Sequence, residues 1–132
     1  MLTARLELVA ALPEDIAAEL DSPGALGLRL GALVEEAWPP GEYDTDARRF
    51  FLREMREAGA GAAGWFIWYA LRREPAAERP VLIAAAGFLG PPGDQGDVEI
   101  GFSVMPEWRR RGYGREIVTS LVGNAFSDSR VR

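Results

Sequence analysis

Between Asp97 and Phe126 the apolar positions of the chain switch from a period of two to a period of about 3.6. Val98, Ile100, Phe102 and Val104 alternate with Asp97, Glu99, Gly101 and Ser103, which puts the two sets on opposite faces of a strand over Asp97 to Val104. Ile117, Val118, Leu121, Val122 and Ala125 then form one stripe of a helix running from Gly112 to about Phe126. Between them lies Met105-Pro106-Glu107-Trp108-Arg109-Arg110-Arg111-Gly112-Tyr113-Gly114-Arg115, a turn with two glycines.

This stretch also carries chemistry. The polar face of the strand sets the Glu99 carboxylate and the Ser103 hydroxyl beside Gly101, which has no side chain. Such a face suits a cleft floor where a ligand approaches the backbone closely. A half-exposed strand with its polar side in water would show the same alternation. The turn is more informative. The first amides of a helix lack internal partners and sit at the positive end of its dipole, so anions bind there. Gly112 and Gly114 let a phosphate near the backbone, and Arg109, Arg110 and Arg111 add charge. A diphosphate is the natural ligand. The turn is not a dinucleotide fingerprint, because Ile117 stands where the third glycine would be.

The rest of the chain reads as a strand (Thr3 to Val9), a short helix after Pro13 (Glu14 to Leu20) and a helix over Ala25 to Glu35 stopped by Trp38-Pro39-Pro40-Gly41. A further helix, capped by Asp44 or Thr45, runs to about Glu57. Its Arg48, Arg49, Arg53 and Arg56 point away from the apolar face of Ala47, Phe50, Phe51 and Met55, as a solvated charged surface. Gly59 to Gly64 is a linker, Trp65 to Arg72 a strand, Glu74 to Pro80 a turn, Val81 to Leu89 a buried strand, and Gly90 to Gly96 a hairpin loop. Three antiparallel strands feeding a helix imply an α/β domain with a mixed, largely antiparallel sheet and flanking helices, and 132 residues suit a single domain.

Composition excludes several mechanisms. Cysteine, histidine and lysine are all absent. Thiolate nucleophiles, disulfides, a Ser-His-Asp triad, His- or Cys-ligated metals and a P-loop lysine are therefore unavailable. Catalysis has to use carboxylates, hydroxyls, arginines, water or backbone groups. The net charge of −5 argues against nucleic-acid binding and suits a cationic acceptor such as an amine. No basic leader and no run of about 20 apolar residues occurs, so the expectation is a cytoplasmic protein with no membrane span. All-arginine basic usage with abundant Ala and Gly points to a bacterial source.

Arg109-Arg110-Arg111-Gly112-Tyr113-Gly114 resembles the Gln/Arg-x-x-Gly-x-Gly/Ala signature of the GNAT superfamily of N-acetyltransferases, in the same strand-to-helix setting. The flanking Val98-Glu99-Ile100-Gly101-Phe102 and Pro106-Glu107-Trp108-Arg109 are similar to the branch that includes ribosomal-protein N-terminal acetyltransferases. Trp38-Pro39-Pro40 and Gly87-Phe88-Leu89-Gly90-Pro91-Pro92 resemble a bacterial subgroup of it. The resemblance implies acetyl-CoA as cosubstrate, no metal, and direct attack of a small-molecule or peptide amine on the thioester. It implies that Phe102, Ser103 and Val104 pair with the pantetheine arm. The pyrophosphate would lie on Arg109, Arg110, Arg111, Gly112, Tyr113, Gly114 and Arg115. The Val104 amide would polarise the thioester carbonyl, Glu99 would take the amine proton with its pKa raised by burial, and Ser103 would order a water. Trp38, Tyr43, Trp65 and Trp68 either line an acceptor wall or belong to the core.

Members of this superfamily usually continue past the motif helix with a fifth strand, another helix and a terminal hairpin, whereas this sequence stops at Arg132. The expectation is an incomplete domain over residues 1–132 whose open strand edge drives assembly into a homodimer or strand-exchanged oligomer. The alternative to an active enzyme is a catalytically inactive acyl-CoA-binding or interaction module.

Overall fold

A computed structural model describes residues 1–73 and 79–132. Of the turn expected over Glu74 to Pro80, residues 74–78 lie outside the described residues. The elements are β1 (Leu6–Ala10), α1 (Pro13–Asp21), α2 (Pro23–Leu30), α3 (Thr45–Ala58), β2 (Ile67–Arg72), β3 (Val81–Phe88), β4 (Ile100–Val104) and α4 (Tyr113–Phe126). Single 3-10 turns cover Ala60–Ala62 and Pro106–Trp108.

The four strands form one sheet in the order β1-β2-β3-β4, with every pairing antiparallel. The mixed character expected of the sheet is confined to one isolated parallel bridge, Leu33 to Val81. A bulge separates the pairs Ala70–Ala84 and Leu71–Leu82, so Ile83 is the extra residue. It shifts the alternation by one, and Ile83 and Ala84 both face the same side.

Alternation along each strand builds two cores. On one face Ile67, Tyr69, Leu71, Leu82 and Ala85 pack with Ile16, Leu26 and Met55 of α1 to α3. On the other, Leu6, Leu8, Ala84, Phe88 and Val104 meet Tyr113, Ile117, Leu121 and Ala125 of α4. Ile117 and Leu121 are fully buried, each worth about 1.5–3 kcal/mol. The sheet is thus a middle layer, with α4 alone on one side.

The α1 start is set by Pro13, and the Asp15 carboxylate accepts the Leu12 amide at 2.8 Å. Asp44 caps α3 through the Ala47 amide at 2.9 Å, one of the two candidates expected. Helix α2 is shorter than its apolar period implied. It ends at Leu30 because Gly31 turns left-handed and closes on the Gly27 carbonyl, so Val34 and Glu35 lie outside it.

Arg48 also departs from expectation. It is buried rather than solvated, and it faces Glu19 of α1 at 3.5 Å, a side chain with no exposed surface. Glu19 also accepts hydrogen bonds from Trp38 Nε1 at 3.0 Å, from the Tyr43 hydroxyl at 2.8 Å and from the Tyr69 hydroxyl. Trp38 and Tyr43 are therefore buried in the core, and Tyr43 also borders a cavity. No helix among the described residues is long and apolar enough to cross a membrane.

Candidate functional site

Gly112 has φ +83°, a left-handed conformation open to glycine at little cost, and it admits the chain into α4 without a side-chain cap. The Glu116 amide is the first to close a helical bond, onto the Gly112 carbonyl at 3.1 Å. The amides of Tyr113, Gly114 and Arg115 precede it, as an anion site requires. Arg110 also takes a positive φ, +63°, which folds the loop tightly in front of the helix.

The loop is held from behind by residues the motif did not reveal. Arg5, just before β1, donates to the Arg111 carbonyl at 2.9 Å and to Glu116 Oε1 at 2.8 Å, and lies 4.1 Å from the centre of the Tyr113 ring. Thr3 Oγ1 also donates to Glu116. Burial opposes ionisation of Glu116, but the bonds from Thr3 and Arg5 outweigh it and hold the carboxyl below its ordinary value. Arg72 Nε reaches the Tyr113 hydroxyl at 2.9 Å. Tyr113 is thus buried beneath the turn. Arg111 stacks 5.1 Å from the Trp108 ring, and Arg115 stands exposed.

A cavity of about 400 Å³ lies in front of the turn. It brings together Phe102, Ser103, Val104, Arg109, Arg110 and Gly114, six of the expected residues. Arg109 Nε donates to the Val104 carbonyl at 2.9 Å and so ties the loop to the end of β4. The Met105 amide bonds Ile83 of β3, and the Glu99 carbonyl accepts from Leu89. By the alternation of an antiparallel ladder, the odd-numbered residues of β4 serve β3, and the backbone groups of Phe102 and Val104 face the open edge.

A second cavity, of about 250 Å³, lies over β3 and β4 beneath α3, and Glu99 and Ser103 line it. The strand begins at Ile100 rather than at Asp97, so Ser103 lies on this face within β4 and Glu99 just ahead of it, both on the side expected. The burial expected of Glu99 is absent, because its side chain is exposed; on the other face Ile100 and Phe102 are exposed as well. Glu42, Phe102 and Ser103 line both cavities. Glu42, from the loop before α3, was not singled out by the sequence because no pattern marks it. Among the described residues, no three His, Cys, Asp or Glu side chains gather as a metal ion would need.

Glu35 and Glu107 form a carboxyl pair beside this loop. A hydrogen bond with Glu107, then burial and the Glu107 charge, push Glu35 up to about 7. The Trp108 indole, buried without a well-formed hydrogen bond, opposes this. A raised folded-state value means that the stability Glu35 contributes is full below about pH 4.5 and is lost as pH rises towards 7. Glu107→Gln is expected to flatten that slope, read as urea midpoints across pH 4 to 8, and an unchanged slope would contradict the pairing.

A four-stranded antiparallel sheet whose last strand turns through an uncapped glycine loop into a helix is the scaffold of this site. The acetyltransferase (GNAT) domain family profile matches residues 5–132, and the chain belongs to that family. It is 30% identical over 98 residues to the uncharacterized N-acetyltransferase YjdG of Bacillus subtilis (strain 168), covering 74% of this chain and 55% of YjdG. The chain thus spans about half the length of that curated relative. Its fold is similar to a protein of Vibrio cholerae provisionally assigned as a ribosomal-protein-serine acetyltransferase, with TM-score 0.53, 16% identity, and coverage of 96% of this chain and 66% of that one. It is also similar to a GNAT superfamily phosphinothricin acetyltransferase from Sinorhizobium meliloti in complex with acetyl-CoA, with TM-score 0.51, 22% identity, and coverage of 93% and 60%.

Proposed function

We propose that this chain binds acetyl-CoA at the α4 turn and serves the transfer of acetyl to a primary amine. The observation that carries the reading is the larger cavity. It joins the uncapped start of α4 to the outward-facing backbone of Phe102 and Val104. Family membership supports the same chemistry.

The cosubstrate supplies a thioester whose carbonyl carbon the free amine attacks, with coenzyme A leaving as the thiolate. The amides of Tyr113, Gly114 and Arg115, with Arg110 nearby, bind the pyrophosphate. The backbone of Phe102 and Val104 pairs with the pantetheine arm, and the Val104 amide donates to the carbonyl oxygen as charge develops there. Ser103 orders a water between the amine and Glu99, and Glu99 takes the proton.

Gly114 gives the test. A Cβ there would lie 2.9 Å from the Phe102 ring, so the helix start and β4 approach as closely as a missing side chain allows. Gly114→Leu is expected to weaken coenzyme A binding roughly 100-fold, about 2.7 kcal/mol, in a chain that still folds because the exposed Phe102 ring can turn aside. Calorimetry showing equal affinity in both proteins would refute the site. Binding without thiol release from any amine in a broad panel would favour the inactive acyl-CoA-binding module instead.

A further inference from the structure

We infer that the acceptor is a primary amine carried on a compact apolar body, and that Glu42 holds its ammonium end. This rests on the acetyl-transfer reading and names the substrate class for the smaller cavity.

Three observations carry it. The first is lining. The cavity over β3 and β4 is walled by Tyr43, Ala47, Phe51, Ile67, Ala85 and Leu89, and the charged groups among its described lining residues are the carboxylates Glu42 and Glu99. Among the described residues no arginine lines it, although the chain carries 15. The second is size. About 250 Å³ lies below the roughly 300–1,000 Å³ of sites for drug-sized ligands, so the body that enters is small. The third is position. Among the described residues Glu42 is the one carboxylate that lines both cavities, so an amine moving from its own pocket towards the thioester passes it.

The chemistry follows from charge. An alkylamine with a pKa near that of lysine, about 10.4, arrives as an ammonium ion and needs an anion at the point of entry. Glu42 provides it, and its partner Glu99 then stands within the same cavity to receive the proton. A carboxylate on the acceptor would face two like charges, with no cation among the described residues that line the same cavity. Apolar walls favour an aromatic or branched aliphatic body over a hydroxylated one, by the area removed from water.

A matched set of amines tests this on the full chain. 2-Phenylethylamine and L-phenylalanine share one body and differ by a carboxylate, while ethanolamine lacks the apolar body. Each is titrated by calorimetry or ligand-observed NMR, with and without saturating coenzyme A. 2-Phenylethylamine is expected to bind at least about tenfold more tightly than either of the others. Glu42→Gln should weaken it about tenfold without weakening coenzyme A. Ala47→Trp, which fills the cavity from α3, should abolish amine binding and leave coenzyme A bound. L-Phenylalanine binding as tightly as 2-phenylethylamine, or an unchanged amine affinity in Glu42→Gln, would overturn the assignment. Failure of coenzyme A to bind would strike the acetyl-transfer reading instead, with the amine selectivity still measured on the unliganded chain.

Discussion

Gly87→Ala is expected to destabilise the chain by about 4 kcal/mol, a large share of the roughly 5–15 kcal/mol that holds a domain together. Gly87 sits in β3 opposite Ile67, with φ +146°, a conformation essentially confined to glycine. A Cβ built there falls 1.8 Å from the Phe66 carbonyl oxygen and 2.8 Å from its carbon. Both atoms are backbone, so no rotamer relieves the clash, and β2 has to move away from β3. The Gly90 amide bonds the Trp65 carbonyl and the Phe88 amide the Phe66 carbonyl, so that movement breaks further bonds at the same end of the sheet. Melting should fall by on the order of 10–20 °C. Gly101 is the control. It pairs with Gly87 from β4, yet a Cβ there meets nothing within 4 Å, and Gly101→Ala should stay within about 0.5 kcal/mol. Similar melting temperatures for the two variants would refute the argument.

Glu19→Ala is expected to cost about 3–5 kcal/mol. It strips Arg48 of its carboxylate and leaves the Trp38, Tyr43 and Tyr69 donors facing a hole. A buried pair of this kind adds little net stability over a well-packed apolar core, but losing one member strands the other. The pH dependence has a definite sign. Burial pushes the Glu19 carboxyl up, against the hydrogen bonds from Tyr69, Trp38 and Tyr43 and the charge of Arg48. A value raised above the unfolded 4.5 makes the Glu19 contribution fullest below that pH and lets it decline as pH rises through the folded value. The stability difference between the wild type and Glu19→Gln should therefore shrink from pH 4 upward. A difference that grows with pH would reverse the sign and refute the account.

The strand-turn-helix unit was legible because its two periods and its glycines are local signals. Val98 to Val104 alternate, α4 carries a regular stripe, and Gly112 does in the structure what a glycine before a helix suggests. Burial was less legible than direction. Glu99 faces the cavity side as its alternation requires, but how much water reaches it depends on what lies across the strand, and it is exposed. Arg48 looked solvated because three more arginines share its helix. Its burial depends on Glu19, which lies 29 residues away in sequence and carries no local mark. The end of α2 had a signal in Gly31, overridden by the apolar residues at Leu33 and Val34. Glu42 had none, since a lone acid in a loop acquires meaning only from the two cavities it separates.

The tie between Arg5 and Glu116 joins positions 111 residues apart, which bears on how the chain reaches its native state. The meander β2–β3–β4 forms from contacts between segments close in sequence, whereas β1 must return to β2 across the whole of α1 to α3. Loop-closure entropy rises with the length enclosed, so the clasp behind the turn is among the last contacts that folding rewards. A partly folded chain can already possess the strand, the glycines and the helix, and still lack the brace that orients the loop. If the turn binds its proposed cosubstrate, ligand capture would report that the two distant segments have met.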